Sequence, residues 1–311
     1  MNKKSTLSVK DEQGMVNMSK PTNLLVQPNY EESEFIKVTP KSAGWEHLNF
    51  SAVKLNNGAT WHIDSKENEM ALVILGGTAR IETKDQTWES VGSRSNVFKG
   101  MPTTLYISRN NWVTIYALSE TLEFGIGWSK AYLDHPTKLI EPEEVKVEIR
   151  GGGNATRQIN QMILPGFDCD RLVVVEVYTP SGNWSSYPPH KHDVRKLDQN
   201  GNLIEADLEE IYFYKIDRPE GYAYQRIYTD DRKIDELVLV KDNELVLSPE
   251  GYHPVVAAHG FNVYYLNMLA GSDQSLASSD DPEFAWIKNT WSELDHRLPM
   301  VTLEMNTKNK I

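Results

Sequence analysis

The sequence is poor in cysteine, in positive charge and in long hydrophobic runs, and each shortage excludes a class of protein. Cys169 is the single cysteine among 311 residues, so no disulfide can form within the chain. Lys and Arg total 32 against 44 Asp and Glu, and a net charge of −12 disfavours nucleic acid as a partner. No apolar run approaches the roughly 20 residues that cross a bilayer, and the N-terminal lysines precede no signal-like apolar segment. We therefore expect a cytoplasmic protein that acts on neither nucleic acid nor membrane.

Helical periodicity is also scarce, whereas short strand-like patterns run through most of the chain. The best helix candidate is "DDPEFAWIKNTWSELDHRL", residues 280–298. Strands are indicated by runs of β-branched and aromatic residues between turns rich in Gly, Asn and charge. Clear examples are "ALVILGGTARIET" (71–83), "RLVVVEVYT" (171–179), "EEIYFYKI" (209–216) and "FNVYYLNML" (261–269). This pattern predicts an all-β protein.

Three glycines in "RGGGNATRQ", residues 150–158, interrupt the strand pattern near the middle of the chain. A chain of 311 residues is long enough for two packed units on either side of such a break. We predict a polar N-terminal extension over residues 1–28, one β unit over 29–150 and a second over 151–311.

A pair of histidines follows two prolines in "SSYPPHKHD", residues 185–193. His190 and His192 lie one residue apart, although the whole chain has 8 histidines. In an extended strand both imidazoles share one face, and Lys191 points to the other. Two imidazoles on one face are suited to bind a metal ion if further ligands converge on them.

Further ligand candidates come later in the same half. Glu209 and Glu210 open a strand, and alternation places one carboxylate on each face, so we expect one of them to point to solvent. His253 follows a Pro-x-Gly turn in "PEGYHP". Three imidazoles and one carboxylate suit a divalent transition metal such as Zn, Mn or Fe.

This order of motifs, HxH, then Glu, then PxG–His, resembles the cupin superfamily of small metal-holding β-barrels. Longer stretches such as "VVVEVYTPSGNWSSYPPHKHD", "QRIYTDDRKIDE" and "YYLNMLAG" are similar to the 5-deoxy-glucuronate isomerases of inositol catabolism. The resemblance implies two tandem cupin-type barrels (double-stranded β-helices) with few helices. It also implies a divalent metal ion, Zn²⁺ ahead of Mn²⁺ or Fe²⁺, with the ligands His190, His192, Glu210 and His253.

Two parts of the chain depart from the cupin pattern. The stretch between His192 and Glu210 is much longer than in most cupins, and its polar sequence predicts a loop that bulges outward. In the first β unit the HxH pair is replaced by His62-Ile63-Asp64. We therefore predict that the N-terminal barrel holds no metal and that His62 is a structural or surface residue.

The resemblance implies an aldose–ketose isomerase that converts 5-deoxy-D-glucuronate into 5-dehydro-2-deoxy-D-gluconate. Isomerisation moves a proton between C1 and C2, and the candidate carriers are Tyr212, Tyr228 and Asp230. A small anionic sugar entering an acidic protein also needs a cation to bind its carboxylate. The substrate-binding candidates are Arg226, ahead of Arg232, together with Tyr187.

Other functions stay open at this point. The protein could isomerise another keto-uronate, as formed in pectin breakdown, or act as a metal-dependent cupin dioxygenase. A sugar-binding cupin without turnover is the third alternative. The sequence also leaves open whether the protein is a homo-oligomer.

Overall fold

A computed structural model of the chain describes residues 24–307, which fold almost entirely into β-strands. The first twelve strands are β1 (Leu25–Val26), β2 (Glu34–Val38), β3 (Asn49–Asn56), β4 (Thr60–Asp64), β5 (Asn68–Gly76), β6 (Ala79–Thr83), β7 (Thr87–Val91), β8 (Thr104–Ile107), β9 (Trp112–Ala117), β10 (Thr121–Lys130), β11 (Lys138–Ile140) and β12 (Lys146–Arg150). The next twelve are β13 (Arg157–Ile163), β14 (Val173–Thr179), β15 (Trp184–Ser185), β16 (His190–Lys191), β17 (Asp193–Leu197), β18 (Leu203–Ile216), β19 (Ala223–Tyr228), β20 (Asp235–Val240), β21 (Leu245–Ser248), β22 (Val255–Ala257), β23 (Val263–Gly271) and β24 (Ser279–Asp280). The helices are short: α1 (Pro40–Ala43), α2 (Leu303–Thr307) and the 3₁₀-helices Pro142–Glu144, Gly153–Ala155 and Ala285–Thr290. Within residues 24–307, no helix has both the length and the apolar character needed to cross a membrane.

The first barrel consists of two sheets around one apolar interior. Its larger sheet has the strand order β11-β8-β5-β10-β3-β2, and its smaller sheet has the order β4-β9-β6-β7. Strands of the smaller sheet alternate in burial because one of their faces meets solvent. β5 is buried on both faces: Leu72 and Ile74 pack inside the barrel, while Val73 and Leu75 pack outside it against the second barrel. This double burial explains the unbroken apolar run of β5.

The second barrel repeats this plan. Its larger sheet has the order β1-β21-β18-β23-β14-β13-β12, with β17 paired to β18, and its smaller sheet has the order β15-β22-β19-β20. β14 is again buried on both faces, with Val175 and Val177 in the barrel interior and Val174 and Tyr178 against the first barrel. The predicted all-β fold of two cupin-type barrels is confirmed.

The barrels exchange segments at their boundaries. β1 pairs with β21 of the second barrel, and β12 pairs with β13 there, although the sequence analysis assigned Lys146–Arg150 to the first unit. In return, α2 contacts the first barrel, where Asn306 Oδ1 accepts a hydrogen bond from the backbone N–H of Met101 at 2.7 Å. The structural units therefore do not end at residues 28 and 150, and residues 1–23 of the predicted extension lie outside the described residues.

The larger sheets of the two barrels pack face to face, and two buried carboxylates join them. Glu69 on β5 accepts backbone hydrogen bonds from Asp170, Arg171 and Leu172 at 2.6–2.9 Å. Glu209 on β18 accepts the reciprocal set from residues 46–48 of the first barrel at 2.5–2.8 Å. We call these two groups of contacts the carboxylate clasps. Glu209 does not point to solvent, contrary to the expectation for one of the adjacent glutamates.

Two local predictions are wrong. Residues 280–298 form the 3₁₀-helix Ala285–Thr290 and irregular segments, because their apolar residues, such as the 60% exposed Trp286, bury no continuous stripe. The stretch predicted as a loop after His192 forms the β17–β18 hairpin. Its turn contains Asn200-Gly201, with Gly201 at φ +84°, and Asp198 Oδ1 accepts the backbone N–H of Asn200 at 2.8 Å. Asn-Gly between two strands is a strong hairpin signal, so this turn was readable from the sequence.

Candidate metal centre and its cavity

β16 supplies the first two candidate ligands. His190 and His192 both line a cavity inside the second barrel. Lys191 lies on the opposite side of the strand, where its Nζ is 2.6 Å from Asp193 and 3.2 Å from Asp230. This is the arrangement that strand alternation predicts.

The other two candidates come from β18 and from the turn after β21. Glu210 lies opposite Ser248 in the register of those strands, and its side chain lines the cavity. The turn that leads to His253 requires a glycine: Gly251 has φ +85°, and a Cβ there would lie 2.5 Å from the carbonyl oxygen of Tyr228. The "PEGYHP" turn therefore sets the position of His253.

Three of the four side chains, those of His192, Glu210 and His253, converge on one point. Glu210 Oε2 lies 3.0 Å from His192 Nε2 and 3.3 Å from His253 Nε2. One ligand atom from each of these three residues lies within 4.8 Å of the others. His190 adjoins them, with its ring centroid 4.9 Å from that of His253. The structure thus brings together three residues of the predicted ligand set and places the fourth, His190, beside them.

The hydrogen bonds of the three imidazoles favour a metal ion. In each ring Nδ1 faces a backbone carbonyl oxygen: Pro188 for His190 at 3.4 Å, Leu208 for His192 at 3.1 Å and Gly251 for His253 at 2.8 Å. A proton on Nδ1 leaves the lone pair of Nε2 free to bind a metal, as in most metal-binding histidines. The buried His253 Nε2 has no hydrogen-bond partner among the described residues. A cation bound between these nitrogens and Glu210 would satisfy it.

Burial keeps two of the imidazoles neutral. Burial, aided by His192 and Arg157, lowers the pKa of His190 to about 3. Burial also lowers the pKa of His253 to about 3, although the charge of Glu210 opposes the shift. Neutral imidazole is the form that binds metal ions, so His190 and His253 fit a divalent cation. At His192 burial is outweighed by the hydrogen bond to Glu210, and the pKa is raised.

The cavity next to these ligands has a volume of about 180 Å³, which is roughly that of six liquid water molecules. Its apolar wall includes Val175 and Val177 of β14. Three hydroxyl groups meet in it: Ser186 Oγ lies 3.2 Å from Tyr212 Oη and 3.3 Å from the Oη of Tyr265. Its other polar lining residues are Arg150, Arg157, Gln161, Asn267 and Ser278.

Among the predicted catalytic and substrate-binding residues, Tyr212 is the one that lines this cavity. The Tyr228 hydroxyl donates to Asp281 Oδ2 at 2.6 Å, and Tyr228 lines a separate groove together with Tyr187 and Arg226. Asp230 is 67% exposed and accepts a hydrogen bond from Tyr252 at 3.0 Å.

The predicted carboxylate anchors also lie outside the cavity. Arg226 donates from Nε and Nη2 to both oxygens of Asp235, at 2.8 and 2.9 Å. Arg232 lies 3.8 Å from the same carboxylate. Both guanidinium groups stack on Tyr228, 4.3 and 4.4 Å from its ring centroid. The cations that line the cavity are Arg150 and Arg157. They were assigned no role in the sequence analysis, although they flank the predicted glycine-rich break.

The first barrel differs at the corresponding positions. The residue after the clasp glutamate is Glu210 in the second barrel but Met70 in the first, where it packs in the apolar interior. His62 is 52% exposed, and its Nδ1 lies 2.8 Å from Thr114 Oγ1. His62 is therefore a surface residue, as predicted.

Comparisons with known proteins agree with this fold and show the family to which the chain belongs. Residues 24–287 match the model of the KduI/IolB family. The chain is 42% identical over 261 residues to the 5-deoxy-glucuronate isomerase of Geobacillus thermodenitrificans, covering 84% of this chain and 93% of the relative. It is 37% identical over 272 residues to the 5-deoxy-glucuronate isomerase of Bacillus subtilis strain 168, covering 85% and 98%.

Solved structures similar to this one include an IolB-like protein and an oxalate decarboxylase. An IolB-like protein from Salmonella typhimurium superposes with a TM-score of 0.81 at 34% identity, covering 85% of this chain and 99% of that one. A Bacillus subtilis oxalate decarboxylase variant superposes with a TM-score of 0.55 at 13% identity, covering 78% and 74%. The second likeness shows a shared fold alone.

Proposed function

The chain belongs to the KduI/IolB family, and we propose that it isomerises 5-deoxy-D-glucuronate, an aldose, to the ketose 5-dehydro-2-deoxy-D-gluconate. The observation that carries this proposal is the convergence of three candidate ligands, with His190 beside them, next to a small cavity, in a chain that covers 93% of a relative named for this reaction. The substrate is a small anionic sugar. The proposed reaction is metabolic, and we assign it to the cytoplasm.

We propose His190, His192, Glu210 and His253 as the ligands of a divalent cation, Zn²⁺ ahead of Mn²⁺ or Fe²⁺. A cation held there would supply Lewis-acid stabilisation of the negative charge that develops on the sugar oxygens during isomerisation. The proposal is supported by the three Nδ1–carbonyl contacts and by the unpaired Nε2 of His253. The Lys191 side chain, tied to Asp193, holds β16 from the side opposite the ligands.

Of the three proton carriers predicted from sequence, we assign the role to Tyr212, because it shares the cavity with the ligands. Its Oη is 3.2 Å from Ser186 Oγ, and that hydroxyl is 3.3 Å from Tyr265 Oη. Burial raises the pKa of Tyr212 well above its ordinary value, so its hydroxyl stays protonated and can give a proton to a sugar oxygen. The hydroxyls of Ser186 and Tyr265 can then pass a replacement proton to it. Val175 and Val177 supply an apolar wall that excludes water from the reacting carbons.

The test is turnover by the metal-loaded protein, followed by NMR of the sugar. We expect 5-deoxy-D-glucuronate to be converted to the ketose, whereas the keto-uronate of pectin breakdown is converted far more slowly. His253→Ala is the matched inactive control, since it removes a buried ligand without altering the strand framework. Oxygen consumption, or equal rates on both uronates, would favour the dioxygenase or the other isomerase instead. Sugar binding without conversion would favour a non-catalytic cupin.

A further inference from the structure

Arg157 is a buried cation without a carboxylate partner. It is 5% exposed, and its two hydrogen bonds run from Nη1 to the carbonyl oxygens of Ala155 and Tyr187, both at 3.2 Å. Within residues 24–307, no carboxylate lies at ion-pair distance from it, and its Nε and Nη2 donate no hydrogen bond. A buried charge costs several kcal/mol unless it is paired, so this guanidinium requires an anion.

Arg157 lines the candidate metal cavity. The residue lines the same 180 Å³ space as His190, His192 and Glu210. The edge that carries Nε and Nη2 presents two parallel N–H groups, the geometry that binds a carboxylate through two hydrogen bonds. Burial lowers the pKa of Arg157 to about 10, which leaves the group charged at neutral pH.

A second arginine lies directly opposite. Arg150 on β12 is the register partner of Arg157 on β13. Like charges in facing positions repel, which favours an anion between or beside them. Arg150 is already bound by Glu148, at 2.7 and 2.8 Å, and Gln161 donates to the same carboxylate at 2.7 Å. Arg157 is therefore the cation of the pair without a carboxylate at ion-pair distance, since Glu148 acts on it only as a more distant charge.

Resting on the proposed function, we infer that Arg157 binds the C6 carboxylate of the substrate through Nε and Nη2. The reacting C1 and C2 lie at the opposite end of a six-carbon sugar acid. One end of the cavity then holds the carboxylate while the other presents the sugar oxygens to His190, His192, Glu210 and His253. Arg157 thus acts as a specificity residue that selects uronates over neutral sugars and sets their direction in the cavity.

The test compares 5-deoxy-D-glucuronate with its C6 amide, which keeps the reacting carbons and lacks the charge. Wild-type protein is expected to prefer the acid in kcat/KM by about tenfold to a hundredfold, the effect of a charge-assisted pair. Arg157→Met is expected to lose that preference by lowering kcat/KM for the acid while the amide is little changed. Arg157→Lys is expected to restore part of it. Arg80→Met, which removes an arginine of the first barrel paired with Glu82 and Glu89, is the matched control.

The outcomes distinguish a failure of the inference about Arg157 from a failure of the proposed isomerase reaction. If Arg157→Met slows acid and amide equally, the residue only holds the carbonyls of Ala155 and Tyr187, and the inference is overturned. If the wild type does not convert the acid, calorimetric titration with the acid and the amide makes the same comparison by binding. Selective binding that is lost in Arg157→Met then supports the anchor although the proposed reaction has failed. Circular dichroism and metal content check the fold, and Arg157→Gln replaces the Met variant if that one does not fold.

Discussion

One buried ion pair crosses the junction between the barrels in addition to the carboxylate clasps, and Glu176→Gln tests its contribution to stability. Glu176 is fully buried on β14, and Arg94 of the first barrel is 2% exposed. Two parallel hydrogen bonds of 3.0 Å join Arg94 Nη1 and Nη2 to the two carboxylate oxygens. Asn160, Tyr178 and Tyr264 also donate to that carboxylate, at 2.9–3.0 Å. The substitution removes the charge with almost no change in shape.

The expected loss is large because the guanidinium stays buried without its counter-charge. Removing one member of such a pair costs about 3–5 kcal/mol, a sizeable part of the roughly 5–15 kcal/mol by which proteins are stable. At about 2 °C per kcal/mol for a chain of this size, the melting temperature falls by roughly 6–10 °C. Val175 and Val177 face the cavity from the opposite side of β14. We therefore expect the folded variant to keep its metal content.

The assay is urea unfolding followed by tryptophan fluorescence, with the midpoint and slope compared between variants. Asp273→Asn is the control: it breaks the exposed pair of Asp273 with Arg195, which joins Nε to Oδ2 at 2.9 Å, and should cost less than about 1 kcal/mol. If the free energy of unfolding of Glu176→Gln lies within about 1 kcal/mol of the wild-type value, as expected for the control, the buried pair does not stabilise the junction as argued.

Further substitutions test the site and the clasps. Alanine at His190, His192, Glu210 or His253 should abolish stoichiometric metal by elemental analysis while circular dichroism stays β-type; full occupancy in two variants would refute the ligand set. Lys191→Ala should keep its metal, measured in the same way, because its Nζ contacts Asp193 on the far side of β16. Arg226→Ala tests the anchor predicted from sequence: its pairing with Asp235 leads us to expect an unchanged KM for the uronate in steady-state kinetics. Glu209→Gln should lower the melting temperature by calorimetry, because it weakens one carboxylate clasp.

Local patterns were enough to predict the strands and to single out the three histidines, whereas the choice of Glu210 over Glu209 rested on the resemblance to the cupins. The HxH pair, the Glu-Glu dipeptide and the Pro-x-Gly–His turn are each defined by residues that are close in sequence. Alternation alone separates His190 and His192 from Lys191, which the structure bears out in their contacts. The adjacent glutamates were harder, because the partner of Glu209 is backbone of residues 46–48, distant in sequence.

The substrate-binding residues could not be predicted in this way, because long-range pairing decides which side chains share the cavity. Arg226 was the predicted carboxylate anchor because of its place before "YTDDR". In the smaller sheet of the second barrel, however, β20 pairs with β19 and brings Asp235 to the Arg226 guanidinium. Arg157 begins β13, and its position opposite Arg150 follows from the β12–β13 pairing. β14 and β23 connect that pair of strands to β18. Since β12 was assigned to the other unit, the two arginines were not recognised as a pair.

Comparison of the two barrels distinguishes a residue that serves the fold from one that serves the candidate chemistry. Each barrel keeps a glutamate on its long central strand, Glu69 or Glu209, that clasps backbone of the other barrel. The next residue points the opposite way, into its own barrel, and it is Met70 in the first and Glu210 in the second. A carboxylate inside the first barrel would be surrounded by apolar side chains without a cation, at a cost of several kcal/mol. Both halves therefore contain the clasp, whereas the inward carboxylate occurs in the second barrel, where imidazoles share its site.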